Sequence, residues 1–230
     1  MSPLLSVVIP TLDEAPRLPR LLQDLTALAV PHEIIIADGG SRDGTAELAA
    51  DRGCRVVRAA RGRGRQLRAG VAVSGGAWLL LLHADARLSP AALAEAEHAM
   101  ERRDVQYAAW RLAIDGAGEH LRWIERGAAL RWRVLGLAYG DQGLLLRRSL
   151  YEAAGGYPDT TIMEDVALIR RLRRLAPMHR FREPILADGR RWRREGTLRT
   201  SLRNVSLLLL YLGGVPADRL ARWYRPEPRA

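Results

Sequence analysis

A run of four leucines, residues 79–82, gives way abruptly to His83, Ala84 and Asp85. If the leucines are a buried strand, His83 and Asp85 share one side of its end, because side chains two apart in a strand share a face. A carboxylate there suits a hard divalent cation that also touches a diphosphate. His83 has three readings: a metal ligand, an acceptor for substrate hydroxyls, or a packed strand-end residue. Asp38 closes EIIIAD (33–38), and the glycines after it allow a ligand close to the backbone. Its carboxylate could accept a hydrogen bond from a base or ribose, whereas a turn capping the next helix accounts for Ser41, Asp43, Gly44 and Thr45. RGRGRQ (61–66) sets arginines among glycines at a helix N-terminus, which favours a phosphorylated ligand, although the spacing is that of neither a Walker loop nor a dinucleotide fingerprint. Glu164 and Asp165 begin a further helix. Acids in a first turn stabilise a helix by about 0.3–1 kcal/mol through its dipole, and the same dipole would hold a general base ionised. Both readings fit.

The elements that must position these groups alternate between strand and helix. LLSVVI (4–9), EIIIAD (33–38), RVVRA (55–59) and AWLLLL (77–82) read as strands. Between them lie a helix with Leu18, Leu21, Leu22, Leu25 and Leu28 at helical spacing, a short helix at 45–53, and a helix running to about Ser74. This is the pattern of a doubly wound nucleotide-binding half, in which ligands sit beyond the carboxyl ends of the strands. PTLDE, DGGS, RGRGRQ and HAD all fall at such ends. Further on, the sequence predicts a helix over 89–103 with a serine cap and an initial proline, a strand over 107–115, a helix over 119–137 and, over 140–149, a strand entered through a polar turn. A helix after Met163 and a leucine-rich amphipathic tail over about 196–224 follow.

Charge is unevenly spread along the 230 residues. Every one of the 36 basic side chains is arginine, and the net charge is +10. Residues 1–100 hold 11 arginines and 11 acids, whereas residues 166–230 hold 16 arginines and 5 acids. Such a region could bind nucleic acid, anionic lipid or a phosphorylated small molecule, or form a solvated arginine surface. The single cysteine, Cys54, excludes an internal disulfide and fits a reducing compartment. MSPLLSVVIP lacks the basic region of a signal peptide, and no apolar run nears the ~18–20 residues of a membrane span. The expectation is a cytoplasmic protein, or one peripheral at the inner face of a membrane.

Six blocks together, SVVIPTLDEA, EIIIADGGSRDGT, GRGRQLRAG, LLLLHADARL, GDQGLLLRRSLYEAAGGYP and MEDVALIRRLRR, resemble in order the family-2 glycosyltransferases over residues 6 to about 175. The resemblance implies an α/β GT-A fold. Its central sheet would be mostly parallel, with a nucleotide-binding N-terminal half (1–100), an acceptor and catalytic half (101–195) and a helical tail (196–230) in a single domain. It also implies an inverting transfer from a nucleoside-diphosphate sugar to an acceptor hydroxyl. Pro10, Thr11 and Glu14 would line the nucleotide pocket and Asp38 would bind the base. Arg65, Gln66 and Ala84 would contribute to the same nucleotide-sugar site. His83-Ala84-Asp85 stands where the family carries Asp-X-Asp, so Asp85, with His83, would hold Mg2+ or Mn2+ on the diphosphate. Asp165, beside Glu164, would deprotonate the acceptor, a phosphorylated or lipid-linked molecule that the basic tail could hold or meet at a membrane. Arg191 and Trp192 fall near the acceptor motif of processive relatives, without its glutamine spacing. The usual Asp-Asp-Gly-Ser is Asp38-Gly39-Gly40-Ser41 here, and His83 replaces the first metal-motif aspartate, so two anionic groups are missing from the donor site.

Two other classes share some of these features. A nucleotidyltransferase has similar architecture and metal carboxylates, but carries a lysine in a glycine-rich loop after the first strand; here that place is PTLDE. A non-catalytic nucleic-acid-binding protein would account for the charge but not for carboxylates at strand ends, which repel phosphate. No nucleic-acid partner is expected.

Overall fold

The computed structural model describes residues 3–116, 119–189 and 196–224. Arg191 and Trp192 lie outside them. Its first half is built as β1 (Leu5–Thr11), α1 (Leu18–Leu25), β2 (His32–Asp38), α2 (Thr45–Asp51), β3 (Arg55–Arg58), α3 (Arg63–Ala72) and β4 (Trp78–Leu81). β1 lies between β2 and β4, and β2 pairs with β3, all parallel. The apolar strands have a simple cause: both faces of this sheet are covered. Val7, Ile9, Leu80 and Leu82 pack in one layer with α1, while Val8, Leu79 and Leu81 pack on the other side with Leu67 and Val71 of α3. Each such side chain, fully buried, contributes about 1.5–3 kcal/mol.

The second half continues with β5 (Arg87–Leu88), α4 (Pro90–Glu101), β6 (Tyr107–Asp115), α5 (Glu119–Leu135), a 3-10 turn (Gly140–Gln142), β7 (Leu144–Arg147), α6 (Arg148–Ala153), α7 (Glu164–Leu175), β8 (His179–Asp188), α8 (Thr197–Leu212) and α9 (Ala217–Trp223). The eight-stranded sheet has the order β3-β2-β1-β4-β7-β6-β8-β5. β7 is antiparallel to both β4 and β6, so β6, and β8 parallel to it, run in the same direction as β1 to β4. Ser89 caps α4 by accepting from the Ala92 amide at 3.1 Å, and Pro90 occupies the first turn, as the sequence predicts.

Three expectations change, and one strand is unanticipated. The segment 140–149 opens with a polar turn as expected, the 3-10 turn, but the strand after it is only four residues and α6 follows directly. α5 stops at Leu135, because Gly136 turns left-handed at φ +60°. β8 has no counterpart in the sequence reading: it alternates exposed Arg180 and Arg182 with buried Phe181, and Pro184 follows a register shift at Ala109/Arg111. A proline in a strand is tolerated at such an irregularity. Finally, β4 ends at Leu81, and His83 to Ala86 form a turn closed by the Ala86 amide donating to the His83 carbonyl at 3.1 Å. The strand-face argument for His83 and Asp85 therefore does not apply.

Candidate active site

At the ends of β1 and β2 two loops are laced together. Thr11 is paired with Asp38 across the strands, and Pro10 with Ala37. The Asp38 carboxylate, 2 % exposed, accepts from Thr11 Oγ1 at 3.1 Å, from the Gly40 and Ser41 amides at 2.9 Å each, and from Ser41 Oγ. Burial alone would raise its pKa, but these donors, led by Ser41, outweigh it and hold the carboxyl below its ordinary value. Asp13 takes a left-handed backbone, φ 54°, that lets its amide donate to Ser41 Oγ and its carboxylate accept from the Arg42 amide. The Glu14 amide donates to Thr45 Oγ1 at 2.9 Å, and Asp43 accepts from the Ala15 and Thr45 amides.

α3 closes on this frame through two glycines. A Cβ at Gly70 would stand 2.3 Å from Val8 Cγ1, and one at Gly64 would stand 3.0 Å from Glu164 Cβ. The first lets α3 lie on β1; the second lets its N-terminus touch the start of α7. Between them Gln66, 4 % exposed, donates from Nε2 to the Thr11 carbonyl at 2.7 Å and to the Ala37 carbonyl at 2.8 Å, while Oε1 accepts from the Gly62 amide at 3.3 Å. Its amide is spent on joining β1 to β2.

The other end of the site is a small cleft lined by Arg63, His83, Gly140, Tyr157, Glu164 and Asp165, among others. Met163, left-handed at φ 62°, starts α7 so that both acids fall in its first turn. Asp165 Oδ2 accepts from the Gly140 amide at 2.8 Å and Oδ1 from the Val166 amide at 2.8 Å. Glu164 is buried; burial first, then Asp165, push its carboxyl up to about 7, against the pull of Arg63, whose Nη1 lies 3.6 Å from Oε1. His83 Nε2 is buried without a hydrogen-bond partner. Burial and the nearby Arg63 charge keep its pKa well below the usual histidine range, so the ring is a neutral imidazole at physiological pH. Asp141 Oδ1 is likewise buried and unpartnered, and burial raises its pKa, with Arg131 and Arg63 opposing and Asp165 adding.

Asp85 faces a different set of neighbours. Burial, then the carboxylates of Glu14 and Asp188, raise its pKa to about 6, with Arg63 opposing. Arg17 ties those two acids together at 3.3 Å from each. Among the described residues, no three or more His, Cys, Asp or Glu side chains converge as a ready metal cage. An ion recruited with a diphosphate needs only one or two protein ligands, the phosphates and water completing its shell. A carboxylate crowded by two others, and an imidazole nitrogen without a partner, are chemically suited to that.

Arg63 unites the two ends: its charge acts on His83, Asp85, Asp141 and Glu164 alike. Of the residues expected from sequence, Pro10, Thr11, Glu14 and Asp38 sit together at one end and His83, Glu164 and Asp165 at the other. Ala84 is buried in the core and does not line the cleft. Arg65 pairs at the surface with Asp159, Nε to Oδ1 at 2.5 Å. Arg63, Gly140, Asp141, Tyr157 and Asp188 were not singled out from sequence. Arg63 stands in the same RGRGRQ segment as Arg65, and nothing local distinguishes the two.

With this geometry in hand, known proteins are informative. The model of the family described as glycosyl transferase family 2 matches residues 6–171. A crystal structure of S. aureus TarS 1-349 is similar with a TM-score of 0.68 at 15% identity, covering 82% of this chain and 61% of that one. A mannosyltransferase, PcManGT, from Pyrobaculum calidifontis, in complex with GDP-Man and Mn2+, gives 0.59 at 17%, covering 81% and 57%. Glucosyl-3-phosphoglycerate synthase from Mycobacterium tuberculosis, in complex with Mn2+, UDP and glucosyl-3-phosphoglycerate, gives 0.58 at 19%, covering 81% and 70%. The chain thus spans about three-fifths of the TarS fragment, and at these identities the likeness is one of fold. The comparison with curated proteins found no match.

Proposed function

Because the chain belongs to glycosyl transferase family 2, we propose that its cleft moves a sugar from a nucleoside-diphosphate sugar to an acceptor hydroxyl, with inversion at the anomeric carbon. The observation that carries this reading is the convergence on Arg63 of groups from the turn after β4, from α7 and from the Gly140 turn. The frame around Asp38, where Thr11 and the 39–41 loop meet, takes the nucleoside, the fully bonded Asp38 carboxylate holding the loop that base or ribose would contact. The solved structures with GDP-Man or UDP support a nucleotide-sugar donor.

Asp165, oriented by the Gly140 amide, takes the acceptor proton. The acceptor oxygen bonds to the anomeric carbon as the bond to the diphosphate oxygen breaks on the opposite face, and the electron pair leaves with the nucleoside diphosphate. Arg63 lies where it can neutralise that charge, an effect typically worth a few kcal/mol for one well-placed group. Glu164 holds Arg63. A Mg2+ or Mn2+ ion held by Asp85, with His83 as its second protein ligand, would stabilise the leaving diphosphate in the same way. The concentration of arginine after residue 166 supports an acceptor that is phosphorylated or lipid-linked.

Two measurements test this. UDP or GDP should raise the melting temperature, more so with Mn2+; no stabilisation by any nucleoside diphosphate would remove the donor site. Asp165→Asn, assayed by release of nucleoside diphosphate, should slow transfer by about 10²–10⁴-fold without loss of fold. Undiminished transfer would remove the base.

A further inference from the structure

Eleven large hydrophobic side chains are exposed among the described residues, and eight of them lie on three helices, α5, α8 and α9. α8 packs against both of the others. On α5 the exposed side chains form a row: Trp123, Leu130 and Val134, at steps of seven and four. Leu202, Val205 and Leu209 repeat the arrangement on α8, at steps of three and four. Trp223 adds a second exposed indole on α9. The other faces of these helices are already used, Trp132 and Leu208 lying in the core below. Isolated exposed apolar side chains need no explanation, but rows on adjoining helices do.

The flanking charge is mostly positive, although α9 also carries the exposed Asp218 in its first turn. Arg122, Arg126 and Arg133 are exposed beside the α5 row, Arg199 beside that of α8, and Arg222 beside Trp223. Arg126 lies over the Trp123 ring, 5.1 Å from its centre. α8 contains no acid, and Glu125 of α5 is partly buried, where it accepts from the Ile114 amide and Arg122. A second copy docked symmetrically would set these arginines against each other. A surface of phosphates above an apolar layer matches both features at once.

We propose that the surface formed by α5, α8 and α9 docks on an anionic lipid bilayer. The two tryptophans and the leucine and valine rows enter the boundary between headgroups and acyl chains, and the arginines meet the lipid phosphates. None of the described helices is long and apolar enough to cross a membrane, so the contact lies in the plane of the interface.

Flotation of the full chain with vesicles decides the matter. The chain should rise with vesicles containing phosphatidylglycerol, stay behind with pure phosphatidylcholine, and be released by salt. W123S/L209S, both at exposed positions, should lower the partition at least about tenfold, the consequence of losing two buried side chains. Its circular dichroism and melting should match the parent. R126E/R133E, which leaves the apolar rows intact, should lose the preference for phosphatidylglycerol. The proposal is overturned if the chain floats with neither vesicle, if both variants bind like the parent, or if sedimentation shows a dimer that W123S/L209S converts to monomer. Vesicle binding is read without donor or acceptor, so either outcome leaves the transferase reading of the cleft standing.

Discussion

Replacing Gln66 by glutamate changes one atom type and should cost the protein several kcal/mol. In the fold, Gln66 Nε2 is a donor shared by the Thr11 and Ala37 carbonyls at 2.7 and 2.8 Å, in a place 4 % exposed. A carboxylate there has no hydrogen to give and would face two carbonyl oxygens. Protonated, it supplies one donor for two acceptors. One orphaned buried acceptor costs about 1–3 kcal/mol, and keeping the carboxyl neutral at about pH 8, about 3.7 units above its unfolded value, adds about 5 kcal/mol, giving about 6–8 kcal/mol in all. The penalty has a pH signature. The introduced carboxyl has a folded pKa above its unfolded value of about 4.3, so the native state of the variant holds the extra proton and the deficit grows as pH rises through that window. Urea unfolding of parent and Gln66→Glu at about pH 5 and about pH 8 reads both terms; at this chain length 1 kcal/mol corresponds to about 2–4 °C in melting temperature. A variant within about 1 kcal/mol of the parent near pH 8 would refute the clamp and return Gln66 to the pool of ligand-binding groups.

Three further outcomes follow from the same geometry. Gly140→Ala puts a methyl 2.7 Å from His83 Nε2 and 3.6 Å from Asp165 Oδ2; it should cost about 1–3 kcal/mol of stability through overpacking. It should also lower kcat more than donor affinity, and parent-like kcat would show that the two groups do not act together. Arg63→Ala should depress transfer at least about tenfold, as loss of one charge-stabilising group does, while Arg65→Ala, at an exposed surface pair, should leave kcat/KM unchanged; equal effects would undo the assignment of Arg63. Asp85, with a folded pKa of about 6 against 3.8, binds more protons folded than unfolded between those values. Its contribution therefore declines by about 2–3 kcal/mol as pH rises from about 4 to about 6. Asp85→Asn should flatten that part of the stability curve, and Mn2+ should stabilise the parent more above about pH 6 than below it; superimposable curves would contradict the burial and crowding of this carboxyl.

The legible part of this protein is the part where one physical signal dominates. β1, β2 and β4 are apolar on both faces because α1 and α3 cover opposite sides of the sheet, so their position and the polar groups at their ends follow from the chain. Ser89 and Pro90 mark a helix start by local chemistry alone. β8 stayed hidden because its exposed arginines and Pro184 mask the few buried positions, Phe181, Ile185 and Ala187, that hold it in the sheet. Its last residue, Asp188, then brings to Asp85 a charge that no local reading anticipates.

By itself the sequence determined the order of the nucleotide-binding half, the candidate acids and the excess of arginine, all of which depend on neighbours along the chain. Only the tertiary structure decided which of those groups meet. Arg63 and Arg65 are two residues apart on a helix, where ~100° per residue sends them to nearly opposite sides; one reaches Glu164 and the other Asp159. His83 and Asp85 are placed by a turn rather than by a strand face, because β4 ends at Leu81, and Asp165 finds its partner in the amide of Gly140, from a turn that precedes β7. Contacts of that kind are set by how helices and turns pack across the sheet, and spacing in the chain carries no record of it.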